Sequence, residues 1–152
     1  MLSFINSIIK QTKVPGRIEK FIGDSDIILD VAHNPAAAGA LAQKMAVAEG
    51  RTLAIASVLK DKDWAGIVTA MGNVVDDWFI AQISDTPRAS EGQTLLEVLY
   101  NDGRTGQLLE SIGQALDSAL EQATADDRIV VFGSFHTVAA VLNIILAEVS
   151  SE

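Results

Sequence analysis

Short apolar runs alternate along the chain with stretches whose apolar residues recur at helical spacing. Ile27-Ile28-Leu29 is a β-branched run that reads as a buried strand. Thr52 to Leu59 is apolar on both faces, as expected for a central parallel strand. Asp77 to Ile83 and Ile129 to Phe132 predict two more strands, and Ile18 to Gly23 is a candidate first one. Four helices follow from the stripes Trp64, Ile67, Val68, Met71; Leu95, Leu96, Leu99; Leu108, Ile112, Leu116, Ala119, Leu120, Ala123; and Val138, Val141, Leu142, Ile145, Leu146, Val149. An Ala-rich segment from Pro35 to about Glu49 predicts a fifth. There Gly39 would allow close approach to a sheet, and Gly50 would close the helix. Gly23 to Asp26, Ser84 to Ser90 and Asn101 to Gly103 read as turns or loops. This alternation predicts an α/β fold: a three-layer sandwich with a mostly parallel sheet, helices on both faces and right-handed crossovers.

Length and composition narrow the picture. At 152 residues and 49% apolar content the chain is one globular domain with a real core. Residues 1–14 read as a lead-in, a linker or the end of a preceding helix, before Pro15-Gly16 punctuates the chain. A formal charge of −9 argues against nucleic acid and against an anionic membrane as partner, but not against a nucleotide, which meets only a local field. There is no cysteine, so disulfides and thiolate zinc sites are excluded, in keeping with a cytoplasmic location. No apolar run approaches the ~18 residues of a membrane span, so a soluble chain is expected.

The chemistry is concentrated at Asp30-Val31-Ala32-His33-Asn34-Pro35. Asn34 can cap the following helix, and Pro35 suits its first turn, where the missing N–H costs nothing. A strand, tight turn and helix in a parallel sheet put this segment at the carboxyl end of the strand, where α/β folds place ligands. The first N–H groups of the helix would favour an anion there. Asp30 could accept hydrogen bonds from ribose hydroxyls, or could make only a structural bond within the turn. Gly133 permits a second sharp turn, which Ser134 can cap, and Asp63 can cap a third helix. Gly-x-Ser-x-Gly is absent, which argues against a serine hydrolase. The two histidines are far apart and no metal motif occurs, so no metal site is expected in this chain. The acidic pairs Asp76-Asp77 and Asp126-Asp127 are expected to be solvated at strand starts. Neither Gly-x-x-x-x-Gly-Lys-[Ser/Thr] nor Gly-x-Gly-x-x-Gly is present.

Several of these motifs also carry a resemblance. Pro15-Gly16-Arg17, Asp30-x-Ala-His-Asn-Pro35, Leu59-x-Asp61-Lys62-Asp63, Val75-Asp76-Asp77-Trp78 and Gly133-Ser134-Phe135-His136-Thr137-Val138 occur in one order. Together they resemble the C-terminal domain of the Mur ligase superfamily, above all the bacterial folylpolyglutamate synthase/dihydrofolate synthase family. The resemblance implies a Rossmann-like sheet with one antiparallel strand, over residues 15–152. It also implies an ATP-dependent amide ligase that joins L-glutamate to dihydropteroate or folates through an acyl phosphate. Arg17 would then meet the ATP phosphates, Asp30 the ribose, and His33 the nucleotide, while Ser134 or His136 would border the glutamate. The phosphate loop, the Mg2+ ligands and most of the folate pocket would lie in an N-terminal domain of the same polypeptide, so the chain alone should not catalyse ligation. Ser57 departs from the pattern, which leads one to expect Gly there. Two alternatives remain: a stand-alone nucleotide-binding or interaction module, and a domain of another Mur-type amino-acid ligase.

Overall fold

The structure, a computed structural model, describes residues 19–21, 26–45, 50–57, 63–82, 92–124, 126–133 and 135–150. The lead-in, Arg17, Asp61, Lys62, the loop over 84–90 and Ser134 lie outside the described residues. In chain order the elements are β1 (Glu19–Phe21), β2 (Asp26–Leu29), α1 (Pro35–Lys44), β3 (Thr52–Ser57), α2 (Trp64–Met71), β4 (Asp77–Ala81), α3 (Gly92–Asn101), β5 (Gly106–Leu109), α4 (Ile112–Gln122), β6 (Arg128–Phe132) and α5 (Phe135–Ser150).

They form one sheet in the order β1-β2-β6-β3-β4-β5. The five-stranded body from β2 to β5 is wholly parallel. The antiparallel direction implied by the resemblance is confined to β1, a three-residue strand paired with β2 at one edge. Strand side chains alternate between two cores. Ile28, Ala54, Ala56, Trp78, Ile80, Val130 and Phe132 meet α1, α2 and α3 on one face. Ile27, Leu29, Leu53, Ile55, Phe79, Ile129 and Val131 meet α4 and α5 on the other. The chain steps outward from β2 to β5 with its helices on the first face. It returns to β6 with α4 on the second, as a single crossover hand requires.

The periodicity predicted most elements, and four readings need correction. Leu108 belongs to β5, not to the helix after it; Ser111 caps that helix, its Oγ accepting from the Gln114 N–H at 3.1 Å. Gly-Gln-Leu-Leu has little β-branched character, so β5 left no strand signal. Gly39 makes no close approach, since a Cβ there would meet nothing within 4 Å. Helix α1 ends at Lys44, so Gly50 does not close it; instead Gly50 lies against Asp126, whose carbonyl oxygen would sit 2.6 Å from a Cβ.

The fourth correction concerns the acidic pairs. Asp127 is buried, its side chain only 4% exposed. It accepts from the Arg51 N–H at 2.7 Å, the Thr124 N–H at 2.8 Å and Arg51 Nη2 at 3.2 Å. Arg51 also reaches Asp77 at 3.1 Å and the Gln122 carbonyl at 2.7 Å. Asp76 accepts from the Thr52 N–H at 2.7 Å, and Arg128 Nε donates to Thr52 Oγ1 at 2.8 Å. These side chains stitch the starts of β3, β4 and β6 together, and the strand starts have N–H groups that need such acceptors.

Candidate functional site

The last strand, β6, lies between β2 and β3. Helix α5 leaves β6 on one face of the sheet, whereas α1 and α2 leave β2 and β3 on the other. Neighbouring connections therefore diverge at the carboxyl ends of these strands and open a crevice, the usual ligand position in such sheets. Leu29 and Val131 are partners in register, so the two turns that follow them, at Asp30 and Gly133, stand side by side.

Asp30 is fixed by its backbone. Its N–H donates to the Val131 carbonyl at 3.0 Å and carries the ladder one residue past β2. Oδ1 accepts from the Ala32 N–H at 2.8 Å, so the structural bond of the turn exists and occupies one oxygen. Oδ2 makes no hydrogen bond among the described residues. Burial pushes this carboxyl up from its ordinary value, against the Ala32 N–H and the Lys44 ammonium, which pull it down. A half-buried carboxylate with one open oxygen is an acceptor for hydroxyl groups and a poor neighbour for phosphate.

His33 is exposed, and its Nδ1 lies 2.9 Å from the Val31 carbonyl. A carbonyl only accepts, so Nδ1 donates and Nε2 is turned away from that bond. Asn34 caps α1 as the residue pattern predicted, its Oδ1 accepting from the Ala37 N–H at 2.8 Å. That cap has a consequence for anion binding. Pro35 has no N–H and Ala37's is taken, which leaves Ala36 in the first three positions, so α1 offers an anion less than its position suggested. Asp63 fills the start of α2 in the same way, Oδ1 accepting from the Gly66 N–H at 3.0 Å. The two helix starts touch: a Cβ on Gly66 would lie 2.6 Å from Pro35 Cγ.

On the β6 side, Gly133 has φ +120°, and a Cβ there would lie 3.1 Å from Trp64 Cη2 and 3.4 Å from the Ser57 carbonyl oxygen. Only glycine is at ease in that conformation. His136 is exposed on the first turn of α5. Beside it Thr137 is fully buried, and its hydroxyl is hydrogen-bonded to the equally buried hydroxyl of Ser57. Nothing in the sequence announced this pair, whose members are 80 residues apart. The structure thus brings Asp30, His33 and the start of α5 to one end of the sheet.

A cavity of about 210 Å³ lies at the opposite end, lined by Val75, Asp76, Trp78, Gly103, Arg104 and Thr105. Arg104 is engaged by Asp102 at 2.8 Å and the Gly72 carbonyl at 2.7 Å, and Asp76 would repel an anion, so the chemistry stays with the Asp30 crevice. Among the described residues no three His, Asp or Glu side chains gather to hold a metal ion, and no helix is long and apolar enough to cross a membrane.

Residues 16–135 match the family model of the Mur ligase, glutamate ligase domain. A dihydrofolate synthase/folylpolyglutamate synthase from Escherichia coli (strain K12) is 42% identical over 134 residues, covering 87% of this chain and 31% of the relative. The structure of Escherichia coli FolC in complex with DHPP and ADP superposes with a TM-score of 0.81 at 42% identity, covering 89% of this chain and 32% of that one. The bifunctional folylpolyglutamate synthase/dihydrofolate synthase of Yersinia pestis, complexed with AMPPNP and Mn ion, gives a TM-score of 0.80 at 34% identity, covering 88% and 32%. The chain spans about a third of the length of the relatives it matches.

Proposed function

Because the chain belongs to the Mur ligase C-terminal family, the glutamate ligase domain, we propose that it forms the nucleotide-closing part of an ATP-dependent ligase. That enzyme adds L-glutamate to dihydropteroate or folates. The observation that carries this reading is the Asp30 turn: a half-buried carboxylate, fixed at the switch point, with one oxygen used internally and the other open among the described residues. The ADP and AMPPNP complexes of the superposed enzymes support it.

In this reading Asp30 Oδ2 accepts from the ribose hydroxyls, and His33 presents Nε2 to the nucleotide. Arg17, on the motif match, supplies a fixed positive charge at the phosphates; its planar fork binds two oxygens and stays charged at any relevant pH. Mg2+, when bound, would neutralise phosphate charge, and its ligands belong to an N-terminal phosphate-loop domain of the same polypeptide. Phosphoryl transfer from ATP to the substrate carboxylate gives an acyl phosphate and ADP; the glutamate amine attacks the acyl carbon, and the C–O bond breaks to release phosphate as the amide forms. The role of this domain is to close over ATP and keep water from that reactive acyl group. Residues 15–152 form the closing domain, and the cytoplasm is the compartment this chemistry calls for. The chain has no phosphate loop in its sequence, so by itself it is expected to bind and not to ligate.

The test is Asp30→Ala in the full-length protein. KM for ATP should rise about tenfold, with the domain still folded. An unaltered KM for ATP would remove Asp30 from the nucleotide site.

A further inference from the structure

The Ser57–Thr137 hydroxyl pair is the one fully buried polar contact between the side chains of β3 and α5 among those described. Its position is particular. Ser57 is the last residue of β3, and Thr137 is in the first turn of α5. Between them runs Gly133, whose φ of +120° lets the chain break from β6 into α5 under the edge of Trp64. The start of α5 is thus tied to β3 by a side-chain bond, in addition to its packing on β6, from which it springs.

The Asp30 turn is built differently. It hangs from β6 through the Asp30 N–H and from α1 through the Asn34 cap. None of those bonds passes through Ser57 or Thr137. The two halves of the crevice share β6 but are held by separate side-chain bonds, and one of these can be removed without the other.

We propose that Ser57 and Thr137 are positioning residues for the second half of the crevice, fixing the α5 start and His136 on it for the amino-acid substrate while leaving the nucleotide half alone. This rests on the ligase reading above. A hydroxyl pair suits the task because a directional bond between buried groups fixes both partners, whereas an apolar contact of the same size permits sliding. Misplacement of a binding turn by an ångström is enough to cost rate and affinity heavily.

Four variants of the full-length protein separate placement from mere stability. Thr137→Val leaves the Ser57 hydroxyl buried without its partner and should lower stability. Ser57→Ala removes the same bond from the other side. The double variant, Ser57→Ala with Thr137→Val, removes the orphan and should recover stability, because replacing both partners by apolar groups is nearly neutral. It should nonetheless keep a KM for L-glutamate about tenfold above wild type, with KM for ATP within about twofold. Thr137→Ser keeps the bond and should behave as wild type. A double variant with wild-type KM for L-glutamate would overturn the proposal, as would a KM for ATP that rises in step. If the single variants do not fold, the double carries the comparison. A wild-type protein that adds no glutamate would sink the ligase reading instead, and amide hydrogen exchange then decides the placement separately. Ala139 and Ala140, whose N–H groups bond back to the first turn of α5, should exchange faster in the double variant, and Ala32 should not. Unchanged exchange at Ala139 and Ala140 would overturn the proposal.

Discussion

The two ends of the sheet treat their carboxylates in opposite ways. At the amino end Asp127 is surrounded by donors, and the Thr124 N–H first, then that of Arg51, hold its carboxyl below the usual range. At the carboxyl end Asp30 has one donor for two oxygens among the described residues, and burial pushes its carboxyl up. Both are burdened by the loss of water; only one is compensated. The amino end spends its polar groups on joining β3, β4 and β6. The carboxyl end leaves capacity open where neighbouring connections diverge. A stable scaffold and a binding rim thus use the same residue type, and the surroundings decide which it becomes.

Removing the compensated carboxylate should have the largest effect. Asp127→Ala takes the carboxylate acceptor from the Arg51 and Thr124 N–H groups and one of three acceptors from the Arg51 guanidinium, and should destabilise by about 3 kcal/mol in urea unfolding. Nucleotide affinity of the folded fraction should not change. A loss under about 1 kcal/mol would mean that water replaces the carboxylate and that the amino end is less committed than it looks. Next comes Gly133→Ala, which forces φ +120° on a residue with a Cβ and presses it toward Trp64. A cost of about 2 kcal/mol is expected, together with weaker substrate binding, because this strain falls at the rim.

These contrasts were unequally visible in the sequence. The rim was legible because its chemistry is local: Asp30, Asn34 and Pro35 lie within one turn, and Asn34 caps from three residues away. The buried strands β3 and β6 were legible as continuous apolar runs. The amino end was not, since Asp127 meets Arg51 across 76 residues and looked like one more acidic residue before a strand. Ser57 stood out as a departure from the family pattern, but its partner could not be read from spacing. Strand β5 was hidden because a four-residue edge strand with two exposed positions needs no apolar alternation. Arg17 and Ser134 rest on motif position alone.

A smaller effect of the opposite sign is expected at Gly39. It sits inside α1 with open space where a Cβ would go. Gly39→Ala should therefore stabilise by about 0.7 kcal/mol through the lower chain entropy of the unfolded state, without change in nucleotide affinity. If affinity fell with the gain in stability, the rim would depend on flexibility in α1, and the division between a rigid end and an open end would need redrawing.

The smallest effect is the most pointed. Asp127, with its carboxyl depressed, supports the fold above the ordinary carboxylate value of 3.8, and that support is lost as pH falls through its lower folded value. Asp30 has the reverse sign. Its folded value is raised, so ionisation costs stability above that value, and the cost disappears as pH falls through it toward 3.8. Asp30→Asn keeps an oxygen for the Ala32 N–H and removes the charge. The variant should melt at the wild-type temperature or about 1 °C above it at pH 7, an amount kept small by solvent reaching the half-buried group. The difference should vanish below pH 3.8, where the wild-type carboxyl is neutral as well. Thermal melts of both proteins from pH 7 to pH 3 read this directly. A variant that melts lower at pH 7 would show that the Lys44 attraction outweighs burial, and Asp30 would then be a structural residue of the same kind as Asp127.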